Sequence, residues 1–260
     1  MARGLPRCAP HSVRPRNPPD ADIAPAYELV SHRLGNRRKG VIMAPETLIH
    51  ALRKNAADIG NERGIIYYDT IESSQYRGLA DLDLRARTIA HALNERGYGT
   101  GHTVTIGFTG GLDWVDAVWG LLYGGLAFVP APVAGYDAGT TLRARVEGIA
   151  RASEASLFVT DAGVLERLGG GRAGIDNPIL ILDDLLHEGD PEAWTLPLVD
   201  ADSMAYLLFT SGSTGDPKGV IATHGTVLAL IAATPEWLAL DDTAVVVGWA
   251  PMHHAMGLLF

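Results

Sequence analysis

The chain holds 260 residues, 47% of them hydrophobic and 20% charged, the balance of a globular α/β protein with a sizeable core. Its formal net charge of −9 is unevenly placed: residues 1–40 hold eight Lys or Arg against three Asp or Glu, leaving 13 against 27 in the remainder. An acidic body of that kind argues against nucleic acid as the main partner, because a phosphate backbone would be repelled.

Residues 1–40 carry six prolines and seven arginines with little periodic hydrophobicity. Such a composition cannot offset the entropy of ordering, so a disordered leader is expected there and the folded domain over 41–260. The first twenty residues lack the apolar segment of a secretory signal. The single cysteine, Cys8, can form no intramolecular disulfide and fits a reducing, cytoplasmic compartment.

The first helix is expected over Glu46–Ala57 and a short strand over Ile65–Tyr68. Leu79, Leu82, Ala86, Ile89, Ala90 and Leu93 recur at three- and four-residue spacing, an amphipathic helix closed by Gly97. Thr103–Phe108 reads as a buried strand, Leu112–Tyr123 as a largely buried helix, and Leu126–Val129 as a strand stopped by Pro130. Asp113 and Asp116 on that helix are expected to be solvated surface charges. Thr141–Ala152 is helical, Ser156–Thr160 a strand and Asp161–Leu168 a short helix. Strands follow at Pro178–Leu182 and Met204–Phe209, then a glycine-rich loop, a helix over Thr226–Thr234 and a last strand at Ala244–Trp249. Asp183 and Asp184 precede an expected loop and receive no chemistry. The alternation predicts βαβ units and a mainly parallel sheet flanked by helices.

The uncharged span Ala117–Tyr136 is long enough to cross a membrane on count alone. Gly120, Gly124, Gly125, Pro130 and Pro132 break it, so no transmembrane segment is expected. The chain stops at Phe260 in an uncharged stretch with no polar tail, the pattern expected of a fragment.

The strongest chemical signal is Phe209-Thr-Ser-Gly-Ser-Thr-Gly-Asp-Pro-Lys-Gly-Val220. Its glycines permit positive φ and turn N–H groups inward to form an anion cradle. Thr210, Ser211, Ser213 and Thr214 can donate further bonds to phosphate oxygens, and Lys218 adds a point charge. The chain has only three lysines, at 39, 54 and 218. Composition alone would also suit a solvent-exposed turn with an incidental cation. Order favours a polyphosphate site, since an apolar strand enters the loop and a helix is expected to leave it. A P-loop is excluded: Pro217 precedes the lysine and Gly219 follows it.

The second informative stretch is Trp249-Ala-Pro-Met-His-His-Ala-Met-Gly257. Two histidines follow a proline at an expected strand end, where α/β sheets place ligands. The alternative is that one caps the strand and the other faces solvent. A zinc reading lacks a Cys or carboxylate partner at ligand spacing.

Thr210–Val220 resembles the phosphate-loop signature of the adenylate-forming (AMP-dependent synthetase/ligase) superfamily. Pro251, His254 and Gly257 resemble its Pro-x-x-His-x-x-Gly motif, although Ala255 stands where an Asp usually follows the His and His253 where an aromatic is commoner. Gly120-Leu-Leu-Tyr-Gly-Gly-Leu-Ala-Phe-Val-Pro-Ala-Pro132 resembles the matching passage of fatty acyl-AMP ligases more than that of peptide adenylation domains. The resemblance spans residues 45–260 and implies the first part of the superfamily's large N-terminal domain. It implies ATP-dependent activation of a carboxylic, fatty acid to an acyl adenylate, with Mg²⁺ and release of pyrophosphate. Thr210, Ser211, Gly212, Ser213, Thr214, Gly215 and Lys218 would hold the phosphates, and Lys218 and His254 would act at the reacting groups, His254 beside the acyl and adenylate pocket. The acceptor would be an acyl carrier protein, or coenzyme A if the chain is instead acyl-CoA synthetase-like.

Members of the superfamily are roughly twice as long. The resemblance therefore implies that the adenine-binding segment, the acidic residue for Mg²⁺, the ribose aspartate and the C-terminal lysine lie beyond this chain. Alone it is expected to be incapable of efficient adenylation, either as part of a ligase with a complementary C-terminal half or as a non-catalytic acyl- or nucleotide-binding remnant.

Overall fold

Apolar runs separated by glycine and proline fold into a six-stranded sheet with apolar clusters on both faces. The computed structural model describes residues 46–133, 140–169, 177–210, 218–241 and 243–259. The chain divides into units 1–44 and 45–260, and every described residue belongs to the second. The leader expected over 1–40 lies outside the described residues.

Helix α1 (Leu48–Ile59) starts at Thr47, whose hydroxyl accepts the His50 N–H, and stops at Gly60 with φ of +66°. An antiparallel hairpin of β1 (Gly64–Thr70) and β2 (Ser73–Gly78) leads into α2 (Leu79–Glu95). Then β3 (Thr103–Gly107), α3 (Leu112–Tyr123), β4 (Ala127–Pro130), α4 (Thr140–Ala152), β5 (Leu157–Thr160), α5 (Ala162–Arg167), β6 (Ile179–Ile181) and α6 (Leu182–Glu188) alternate. Strands β7 (Met204–Thr210) and β8 (Lys218–Thr223) complete the sheet, followed by α7 (His224–Leu238) and the short α8 (Ala255–Leu259). The order is β6-β5-β3-β4-β7-β8, parallel at every step except β7–β8.

Burial follows from the two-residue repeat of a strand. Leu157 and Val159 of β5 enter a large cluster with α1, α2, α3 and α6, while Phe158 enters a smaller one with Leu142 and Val146 of α4 and Val164 of α5. Helix α3 is buried along most of its length and packs on α2 at Gly120. A Cβ there would lie 2.4 Å from Ile89 Cγ2, so only glycine permits this approach.

Several expectations fail, each for a physical reason. Strand β2 is additional to the expected elements: it has no apolar alternation and exists through its pairing with β1. Asp183 and Asp184 lie in the first turn of α6, where carboxylates complement the helix dipole. Asp113 is exposed as expected, but Asp116 is 0% exposed and held by Arg77 and Arg85. Residues 244–249 form no strand: Val245 is 84% and Trp249 92% exposed, and no strand among the described residues pairs with them. High β-propensity cannot form a strand without a ladder partner.

Candidate active site

Because β3 to β7 run parallel, their carboxyl ends at Gly107, Pro130, Thr160, Ile181 and Thr210 share one edge of the sheet. Helix α3, after β3, packs into the larger apolar cluster, whereas α4, after β4, packs into the smaller one on the other face. Divergence of this kind opens a crevice between neighbouring strand ends, the usual ligand position in such sheets. Beside it, Tyr67, Asp69 and Gln75 of the hairpin and Thr109–Asp113 line an open cleft of about 150 Å³, which the sequence reading missed. Although Asp113 reaches solvent, partial desolvation beside the cleft raises its pKa, and the charges of Asp116 and Asp183 add to the effect.

Thr210 ends β7 and Lys218 opens β8, and the two are register partners. Ser211, Gly212, Ser213, Thr214 and Gly215 fall within 211–217, outside the described residues. The bounding elements correct the expected strand–loop–helix arrangement. A second, antiparallel strand leaves the segment, and α7 begins only at His224 with Thr223 as its cap. Val220, Ile221 and Thr223 are β-branched residues that pair along β7, which explains the strand. The N-terminus of α7 therefore does not directly follow the glycine-rich segment.

The histidine stretch is built as a capped turn. His254 N–H donates to the Pro251 carbonyl at 2.9 Å, and His254 Nδ1 accepts the Met256 N–H at 3.3 Å. A Cβ at Gly257 would fall 2.3 Å from the Pro251 carbonyl oxygen and 2.6 Å from that of Ala250. The Pro-x-x-His-x-x-Gly spacing thus has a local reason at each matched position: turn, cap and close approach. Met252 and Leu258 pack against the larger apolar cluster, and His254 itself is exposed. Burial lowers the His253 pKa, with the neighbouring charges of His254 and Arg145 acting in the same direction.

The passage Gly120–Pro132 is a packing element. Tyr123 donates its hydroxyl to Asp83 at 2.8 Å, and its carbonyl accepts Trp194 Nε1–H at 3.0 Å. Arg53 lies 5.1 Å over the Trp194 ring, which in turn packs against the Tyr123 ring at 5.2 Å.

A mainly parallel sheet bearing this hairpin on its carboxyl edge defines the class as an α/β enzyme fold. A family model described as AMP-binding enzyme matches residues 52–260, and the chain belongs to that family of adenylate-forming proteins. A medium-chain-fatty-acid–[acyl-carrier-protein] ligase of Moorena producens is 27% identical over 69% of this chain and 31% of its own length. A syringomycin synthase of Pseudomonas syringae is 30% identical over 84% of this chain and 33% of its own. The crystal structure of a fatty acid AMP ligase from Legionella pneumophila superposes with a TM-score of 0.75 at 25% identity, covering 86% of this chain and 38% of that one. The chain therefore spans about a third of the length of these relatives. Among the described residues no helix is long and apolar enough to cross a membrane.

Proposed function

We propose that this chain provides the ATP-phosphate grip of an enzyme that activates a fatty acid as its acyl adenylate for transfer to an acyl carrier protein. The observation that carries the reading is the Thr210–Val220 motif, whose ends form a β-hairpin at the carboxyl edge of the sheet. Likeness to a fatty acid–carrier protein ligase and to a fatty acid AMP ligase supports the choice of substrate and acceptor.

In the proposed reaction a carboxylate oxygen of the acid attacks the α-phosphorus of ATP, and the bond to pyrophosphate breaks. The step calls for charge neutralisation more than for an acid–base pair. Thr210, Ser211, Gly212, Ser213, Thr214 and Gly215 would offer N–H and hydroxyl donors to the β- and γ-phosphates, and Lys218 a positive charge. His254, set with Nδ1 as an acceptor, would present Nε2–H to the acid. Mg²⁺ in such reactions shields phosphate charge. The described residues hold no group of three or more His, Cys, Asp or Glu placed to bind a metal, so no step is assigned to it.

The syringomycin synthase likeness favours a second reading, activation of an amino acid for a carrier protein. Titrating the purified chain with pyrophosphate, ATP, and acyl- and aminoacyl-sulfamoyl adenosines separates the cases. Binding of pyrophosphate together with the fatty acyl analogue is expected. Binding of the aminoacyl analogue alone selects the second reading, and no binding of pyrophosphate or ATP at millimolar concentration overturns both.

A further inference from the structure

Helix α7 is apolar along most of its length, yet the residue it buries is His224, 2% exposed. The imidazole Nδ1 accepts the N–H of Leu48 at 3.3 Å, across 176 positions of chain. Leu48 opens α1, so this N–H belongs to the first turn, where no helical carbonyl is available. Thr47 Oγ1 takes the His50 N–H at the same helix end, so α1 is capped jointly from within and from α7.

Backbone bonds hold the junction from the other side. His224 N–H donates to Ser203 O at 3.1 Å and Gly225 N–H to Ala201 O at 2.8 Å. A Cβ at Gly225 would lie 3.0 Å from that Ala201 oxygen, which marks how closely the two segments approach. Burial keeps the imidazole neutral, drawing its pKa down to about 4; Asp200 pulls the other way and His50 reinforces it. The Nδ1 lone pair stays available at neutral pH.

This junction is the base of the β7–β8 hairpin. Met204 faces Thr223, but from Tyr206 opposite Ala222 to Thr210 opposite Lys218 the register is offset by one residue, with Ala205 the extra one. The bulge interrupts the ladder at its base, and a one-residue slip of β8 beyond it would turn its side chains to the opposite face. The reciprocal Thr223–Thr226 cap fixes where α7 begins but does not tie it to the body.

We propose that His224 is a positioning residue for the phosphate segment: it fastens the β8–α7 junction to the first turn of α1, fixes the register of β8, and so sets the backbone place of Lys218 at the far end of the hairpin. It touches no ligand. The functional consequence rests on the phosphate reading of residues 210–218, while the anchoring can be tested without it.

The test is amide hydrogen exchange on the 260-residue protein at neutral pH, comparing wild type with His224→Ala and His224→Asn. The Asn carboxamide oxygen can take the place of Nδ1 as acceptor. His224→Ala is expected to speed exchange about tenfold or more at Leu48 and across 219–223 while leaving α3 and β5 unchanged, and His224→Asn to restore it to within about threefold. Unchanged exchange in His224→Ala, or acceleration spread evenly over every element in both variants, overturns the proposal. Should His224→Ala fail to fold, loss of Leu48 protection in His224→Asn overturns it and retention supports it. Pyrophosphate titration separates the two readings. Where wild type binds, His224→Ala must weaken binding and His224→Asn must recover it, and equal affinity of wild type and His224→Ala overturns positioning. Where wild type does not bind, the phosphate reading falls, and exchange alone decides the anchor.

Discussion

Arg77 grips the fully buried carboxylate of Asp116 with two hydrogen bonds, Nε to Oδ1 at 3.0 Å and Nη2 to Oδ2 at 2.8 Å. Arg85 adds a third from Nε to Oδ2 at 2.7 Å, so one side chain of α3 ties down β2 and α2 together. Asp116→Ala leaves two partly buried guanidinium groups without their anion. The expected cost is about 3–5 kcal/mol, a fall in Tm on the order of 10 °C. Arg77→Met should cost less, because Arg85 remains. Thermal unfolding followed by circular dichroism checks both. A loss below about 1 kcal/mol for Asp116→Ala would place this fork with ordinary surface pairs.

Lys218 is the only lysine after position 54 and opens β8 opposite Thr210. If it meets phosphate, removing it deletes a charge-assisted bond of about 1.5–3 kcal/mol, or roughly tenfold or more in affinity. Lys218→Ala should therefore weaken pyrophosphate binding in calorimetry with little change in Tm. Equal affinity in the two proteins takes Lys218 out of the site.

Gly257 has no space for a Cβ between the Ala250 and Pro251 carbonyls. Gly257→Ala must push the turn open, at about 1–3 kcal/mol by analogy with overpacked cores. The readout is local: faster amide exchange at His254 and Leu258, whose N–H groups close this turn. Wild-type protection at both amides would show that the turn yields without strain.

Stability should respond to acid through His224. Its folded pKa of about 4 lies below the ordinary value of 6.5, so the unfolded chain takes up the proton first. The neutral imidazole's contribution is complete above pH 6.5 and is lost as pH falls toward 4, about 3 kcal/mol in all. Urea unfolding at a series of pH values should show this slope in wild type and lack it in His224→Asn. The same slope in both proteins would assign it to other groups.

The central βαβ units were legible because their signals are local. Leu112–Tyr123 is a helix at the bounds expected of it, and Thr103–Phe108 loses only its last residue. Pairing decisions were not legible. Val220–Thr223 becomes a strand because β7 lies alongside, while the equally β-prone Ala244–Trp249 finds no neighbour among the described residues. Asp116 was misread because its position on α3 does not disclose two arginines arriving from β2 and α2. At the site, the Pro251, His254 and Gly257 pattern carried real geometric information, since each residue meets a local requirement. His224 escaped notice because its partner, Leu48, is remote in sequence; the Thr223–Thr226 cap beside it was the only local hint.

Strand β8 has one neighbour, so a row of its backbone donors and acceptors is unpaired among the described residues. Val220 and Ile221 stand exposed on it, and Ile231, Trp237 and Leu238 stand exposed on α7. An open edge bordered by apolar side chains invites another β-segment, and burying it grows more favourable as copies become crowded. Self-association of the isolated chain should thus rise with concentration and with kosmotropic salt. By that expectation, the strand that begins at Lys218 would also limit how concentrated a clear solution of this polypeptide can be.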